Sequence, residues 1–193
     1  MNRVLPELNY ILREEGFESS VCDNRFITEA KVTSLWIWLF IISKLAELLD
    51  TVFIVLRKQR LIFLHWYHHS TALFMAWFGY SDLSSTARWF ININYGIHSV
   101  MYSYYALRAL NVRIPKGIAI AITISQTIQM IFGLFVTLFA LYHKSKGTNC
   151  KTSYSVLYCL IVIFVTYFIL FVNFFINSYL KTSNEKQIKN KFN

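Results

Sequence analysis

Five apolar stretches, at about residues 34–56, 61–80, 86–109, 116–142 and 154–180, occupy most of the chain beyond its first 33 residues. Each comes close to the roughly 20 helical residues that cross a hydrocarbon core of about 30 Å. Backbone groups in lipid must find hydrogen-bond partners within the protein, which favours helices. The sequence therefore predicts an all-α integral membrane protein with about five transmembrane helices. Breakers and charges fall between the stretches: Arg57, Lys58, Gln59 and Arg60, then Gly79 to Ser85, Arg108 to Pro115, and His143 to Lys151. Residues 1–33 read as a pre-membrane segment and residues 181–193 as a basic tail, with no room for a soluble domain.

Composition supports this and narrows the partners. The chain is 55% hydrophobic and only 15% charged, far from a soluble domain. Its net charge of +9 sits in short segments between apolar runs. Positive-inside bias and anionic headgroups account for that placement better than nucleic acid does. The tight clusters at Arg57 to Arg60, at Arg108 to Lys116 and in the tail mark the cytosolic side, with residues 1–33 opposite. No basic run followed by an apolar core marks a signal peptide at the N-terminus. Cys22, Cys150 and Cys159 form no C-x-x-C pair and no zinc spacing.

The polar residues inside the apolar runs carry the functional signal. KLAELLDT puts Lys44, Glu47 and Asp50 in one membrane helix, three residues apart on neighbouring faces. On an insertion scale three central charges cost roughly 9 kcal/mol, while the apolar residues of that run return only about 4–8. Such a helix needs a protein interior, mutual neutralisation or water around its charges; a buried ion pair that only fixes packing is the bland alternative. The second run opens with HWYHHS, which carries His65, His68 and His69. The third holds Asn94, His98, Tyr102 and Tyr105, the fourth Thr123, Gln126 and Gln129, and the last Asn173 and Asn177. Taken singly, such residues are more often interhelical hydrogen-bond partners than catalysts.

Depth links them. At 1.5 Å per residue from the Arg57 end, Asp50, Glu47 and Lys44 lie about 9, 13 and 18 Å in, and the box histidines about 6–12 Å. His98, Tyr102 and Tyr105 fall at about 16, 10 and 6 Å, and the glutamine stripe at about 10–20 Å. Matching depth predicts one shared polar chamber opening toward the basic loops.

Two chemistries fit such a chamber. One makes the histidines metal ligands, since H-x-x-H-H boxes occur in membrane di-iron desaturases and hydroxylases. Those enzymes need several boxes, and only four histidines lie in the apolar runs here. A three-histidine zinc site is the remaining metal alternative. The other is metal-free acyl transfer, in which neutral imidazoles serve as nucleophile and base. Lys58, Arg60 and Lys116 at the mouth would then contact a phosphate-bearing substrate.

K-x-x-E-x-x-D-T at 44–51, H-x-x-H-H at 65–69, H-x-x-M-Y-x-Y-Y at 98–105 and T-x-x-Q-x-x-Q at 123–129 resemble, in order, the four signature motifs of the ELO family of fatty acid elongases. The resemblance covers essentially residues 20–193. It implies a very-long-chain 3-oxoacyl-CoA synthase of the endoplasmic reticulum membrane that condenses acyl-CoA with malonyl-CoA, releasing CO2 and CoA, with no cofactor and no metal. It would work beside a ketoacyl-CoA reductase, a dehydratase and an enoyl reductase, and a homo-oligomer is compatible with it. On this sequence the resemblance makes His68 the acyl-carrying nucleophile and His98 its assistant, with His65 and His69 as base, orienter or stabiliser. Gln126, Gln129, Tyr102 and Tyr105 would donate to thioester or enolate oxygens, and Lys44, Glu47, Asp50, Asn94 and Asn173 would support the network. It also suggests a lumenal disulfide between Cys22 and Cys150. Family members generally have seven helices in an inverted barrel around an acyl tunnel, so two helices are expected before KLAELLDT that this chain does not contain. A non-catalytic homologue or a regulatory partner of elongase complexes is the alternative. The ending KNKFN resembles a dilysine retrieval signal, which puts the C-terminus in the cytosol.

Overall fold

The structure, a computed structural model, describes residues 4–59 and 61–181. The expected tail at 182–193 and Arg60 lie outside the described residues. Five long helices dominate: α4 (Lys31–Leu56), α5 (Phe63–Ser81), α6 (Ala87–Ala109), α7 (Lys116–Ser145) and α8 (Tyr154–Phe175), the last continued by a π-helical turn, Ile176–Lys181. Three short helices precede them: α1 (Val4–Glu14), α2 (Gly16–Cys22) and α3 (Arg25–Thr28). Among the described residues, two segments, Lys116–Ser145 and Tyr154–Leu180, are long and apolar enough to cross a membrane. Helices α4 to α6 have the length, but Lys44, Glu47, Asp50, the histidines and Arg88 dilute their apolar character. His143, expected in a loop, instead lies in the last turn of α7.

Helix ends follow one rule. A helix leaves its last carbonyls unpaired, which is costly away from water. Four ends close by a left-handed residue whose successor donates back across the last turn. Gln59 N–H bonds the Ile54 carbonyl at 3.1 Å, Ser84 the Gly79 carbonyl at 2.9 Å, Val112 the Leu107 carbonyl at 3.0 Å, and Thr148 the His143 carbonyl at 3.1 Å. The left-handed positions are Lys58, Leu83, Asn111 and Gly147. At the start of α8, Ser153 Oγ accepts from Val156 N–H.

The core is built in three parts. Met75, Met130, Leu160, Phe164 and Phe171 lock α5, α7 and α8 together. A side chain at Gly133 would run into the Phe164 ring, so glycine lets α7 approach α8. Val21 and Cys22 seat the short helices against Val136, Ala140 and Leu157. Phe26 and Ile27 pack on Ile37, Phe40, Ile41 and Ile91. Helices α1 to α3 thus form a cap over the bundle end opposite Arg57. Arg88 at the first turn of α6 is fully buried under it, bonding the Ser20 carbonyl and pairing with Glu7 Oε1, both at 3.1 Å, above the Phe26 ring.

A disulfide joins Cys22 to Cys150, and Lys151 N–H bonds the Cys22 carbonyl at 2.9 Å, so cap and α7–α8 loop are held covalently and by backbone. The bridge spans 128 residues. For a free chain that loop is worth about 5 kcal/mol of lost unfolded-state entropy, and helices retained in a bilayer reduce it to about 2–4 kcal/mol. Cys22→Ser with Cys150→Ser is expected to lower stability by that amount in detergent thermal unfolding. Cys159 is the free cysteine, so alkylating the unreduced, denatured protein should add one reagent mass.

Candidate active site

Glu47 is the hub. It leaves α4 next to Lys44, whose ammonium donates to Glu47 Oε1 at 2.7 Å and to Asn94 Oδ1 of α6 at 2.6 Å. Lys44 is 3% exposed, enclosed by both partners and by the Phe40 ring, whose centroid lies 4.5 Å from Nζ. The other Glu47 oxygen faces His69 Nδ1 of α5 at 3.4 Å, and Oε1 lies 3.9 Å from His98 Nδ1 of α6. One carboxylate thus joins the first, second and third motifs, and the sequence spacing explains how. Residues 44 and 47 share a helix face, and 65 and 69 are one turn apart, with ring centroids 4.4 Å apart.

The His68 imidazole sits inside a ring of rings. Tyr167 is 4.7 Å away, His69 5.3 Å, Phe171 6.0 Å and His98 6.4 Å between centroids, the last nearly parallel. His65 Nε2, His69 Nδ1, His98 Nδ1 and Thr51 Oγ1 are buried without a hydrogen-bond partner among the described residues. Each such atom costs about 1–3 kcal/mol. The three histidine atoms belong to residues lining one cavity, which makes it a candidate ligand site; Glu7 Oε2 and Arg88 Nε form a second such group under the cap.

Two cavities meet here. An apolar one is lined by Phe40, Ile41, Met75, Ile91 and Phe164, and reaches Ser84 and Thr86 under the cap. A wider and more polar one opens at the other end, where His65, His69, His98, Asp50 and Gln126 stand among Phe53, Ile54, Ile62 and Leu64. His68 lines both. From His68 to Gly79, which also lines the apolar cavity, is about 16 Å along α5.

The sequence-derived residues divide accordingly. Lys44, Asn94 and Gln129 line the apolar cavity at its histidine end. At the mouth, Tyr102 donates to Asp50 Oδ2 at 2.9 Å, and Gln126 Nε2 approaches Met101 Sδ at 3.1 Å. Asn173 is exposed, its Oδ1 accepting from Asn177, and lines neither cavity. Lys58 and Lys116 are also exposed and line neither; Arg57 and Gln59 provide the polar rim instead. The RKQR cluster signalled a rim there without saying which side chain turns inward. Tyr167, Phe171 and Thr71 escaped notice, the aromatic pair because it lies in an otherwise apolar run. Among the described residues no group of three or more His, Cys, Asp or Glu is arranged to hold a metal ion together.

Comparison with known proteins supplies the lineage. Residues 1–187 match the ELO family, described as the GNS1/SUR4 family. The chain is similar to very long chain fatty acid elongase 6 of Drosophila melanogaster, 51% identical over 76% of this chain and 47% of that protein. It is 50% identical to its human namesake over 66% of this chain and 48% of that one. A putative fatty acid elongase 3 of Caenorhabditis elegans is 44% identical over 80% and 48%. The chain spans about half the length of the curated relatives it matches. No solved structure matches. With nearly the whole sequence matched and half of the aligned residues identical to elongases, the chain belongs to the ELO family.

Proposed function

We propose that this chain is a condensing enzyme of fatty acid elongation, an acyltransferase that joins a long-chain acyl-CoA to malonyl-CoA and yields 3-oxoacyl-CoA, CoA and CO2. The observation that carries this reading is His68 at the junction of an apolar cavity and a polar mouth. An acyl tail fits the first and a phosphate-bearing CoA the second, with Arg57 at the rim, so the thioester carbonyl lies at the imidazole.

The chemistry takes two steps. A His68 ring nitrogen attacks the thioester carbonyl, the C–S bond breaks, and CoA leaves with a proton. Malonyl-CoA then loses CO2, and the resulting enolate carbon attacks the acyl-imidazole carbonyl. The C–N bond breaks, and one proton taken up from solvent through the open mouth returns His68 to the neutral imidazole, so each turnover consumes one proton. Glu47 orients His69 and His98 and balances positive charge that develops on the imidazoles. All five long helices cross the endoplasmic reticulum membrane, with the Arg57 end in the cytosol. A reductase, a dehydratase and an enoyl reductase consume the product.

A second reading, a non-catalytic homologue or regulatory partner, has one observation in its favour. A cleft between α4 and α6, lined by Ser43, Ala46, Glu47, Tyr95 and His98, opens the site sideways. Microsomes containing the chain, given labelled malonyl-CoA and a panel of acyl-CoAs, separate the two. Product two carbons longer than its substrate is the expected result; none from any substrate, with the chain inserted, leaves the partner reading.

A further inference from the structure

Helix α8 spends two hydroxyls on α5, and both fall around the histidine box. Tyr67 Oη and Thr166 Oγ1 are 3.2 Å apart. One residue on, Tyr167 Oη donates to the backbone carbonyl of His68 at 3.1 Å and lies 2.6 Å from Thr71 Oγ1. Thr71 Oγ1 is itself 2.5 Å from the Tyr67 carbonyl. Tyr167 is 4% exposed. A phenylalanine would fill the same space, and a buried hydroxyl needs a partner in lipid. The hydroxyl serves a carbonyl already engaged in the α5 ladder, that of residue 68 itself.

The aromatic part of the same residue acts on the side chain. Tyr167 lines the apolar cavity, and Phe171, one turn further along α8, lines the mouth. Their rings flank His68 at 4.7 and 6.0 Å. Tyr167 therefore holds both the backbone that carries the imidazole and one wall against which the ring turns.

We infer that Tyr167, through its hydrogen bonds to the His68 carbonyl and Thr71, is the positioning residue that fixes the His68 imidazole at the junction of the two cavities. The consequence for catalysis rests on the acyl-transfer reading above; the positioning does not. A positioning loss of about 1 Å costs up to about 100-fold in rate, and loss of the hydroxyl with retention of the ring should cost less, about tenfold.

The test pairs a substrate-free readout with a kinetic one. The full chain, in Tyr167→Phe, Thr71→Val and Thr71→Ser forms, is treated with diethyl pyrocarbonate, and modification of His68 is read by mass spectrometry against His143 at the far end of α7. Tyr167→Phe and Thr71→Val should each raise the relative rate at His68 at least about threefold, the double variant no further, because both break one chain of bonds. Thr71→Ser, which keeps the hydroxyl, should restore the wild-type rate. In elongation assays kcat should fall about tenfold in the first two variants with the acyl-CoA KM unchanged. Unchanged relative modification of His68 in both Tyr167→Phe and Thr71→Val overturns the positioning role, whatever their activity. If the wild-type chain elongates nothing, the acyl-transfer reading falls and the modification rates still decide the role of Tyr167.

Discussion

Replacing His68 with alanine is expected to lower two-carbon elongation by about 10³-fold or more, to the background of microsomes without the chain. The other histidines do not share its position. His65 and His69 line only the polar mouth, and His98 reaches the centre from α6 beside Glu47. On the acyl-transfer reading, only a group exposed to both cavities can meet a carbonyl whose tail runs one way and whose CoA runs the other. Because the His68 ring packs against Tyr167 and Phe171, alanine also leaves a void. His68→Gln, which nearly preserves volume, controls for that and should be equally inactive if a nucleophilic imidazole is required. Product formation by either variant at the wild-type rate, measured with labelled malonyl-CoA at matched expression, removes His68 from the chemistry.

Much of this site was legible before the fold because the membrane enforces it. Charges at 44, 47 and 50 cannot face lipid, and residues three and four apart on a helix share a face, so depth alone brought Glu47, His69 and His98 to one layer. Depth says nothing of rotation. Asn173 has a depth compatible with the layer, yet it sits on an exposed face of α8. Lys58 closes the end of α4 in the left-handed region, and Arg57 rather than Lys58 lines the mouth. Tyr167 and Phe171 read as two more aromatics in an apolar run, and nothing short of the α5–α8 packing distinguishes them from exposed neighbours such as Phe168. Within residues 4–28, α1 is amphipathic, with Leu8 and Ile11 buried on one face, a period legible in the sequence, whereas helices of 7 and 4 residues are too short to show one, and only the packing makes the three a cap.

That cap turns on Arg88, a residue the sequence showed only as one dispersed positive charge. Arg88→Ala is expected to destabilise the protein by about 3–5 kcal/mol, the cost of leaving one member of a buried pair behind. Three contacts vanish together: the ion pair with Glu7, the bond to the Ser20 carbonyl and the cation over Phe26. Ser20 also accepts from Trp89 Nε1 through its hydroxyl, so the cap would retain one tie to α6 beside the disulfide. Glu7 gives the loss a pH dependence. Burial holds its carboxyl above the usual range, even with Arg88 pulling the other way. The folded protein therefore takes up this proton at higher pH than the unfolded chain does, and protonation adds stability as pH falls. Without Arg88 the carboxyl rises further, so the deficit of Arg88→Ala should be largest near pH 7 and shrink toward about pH 5. Adding Glu7→Gln to Arg88→Ala should recover part of the loss at pH 7 and remove its pH dependence. Thermal unfolding in detergent at the two pH values decides it: an Arg88→Ala protein as stable as wild type, or a deficit that grows on acidification, would mean that the pair does not hold the cap.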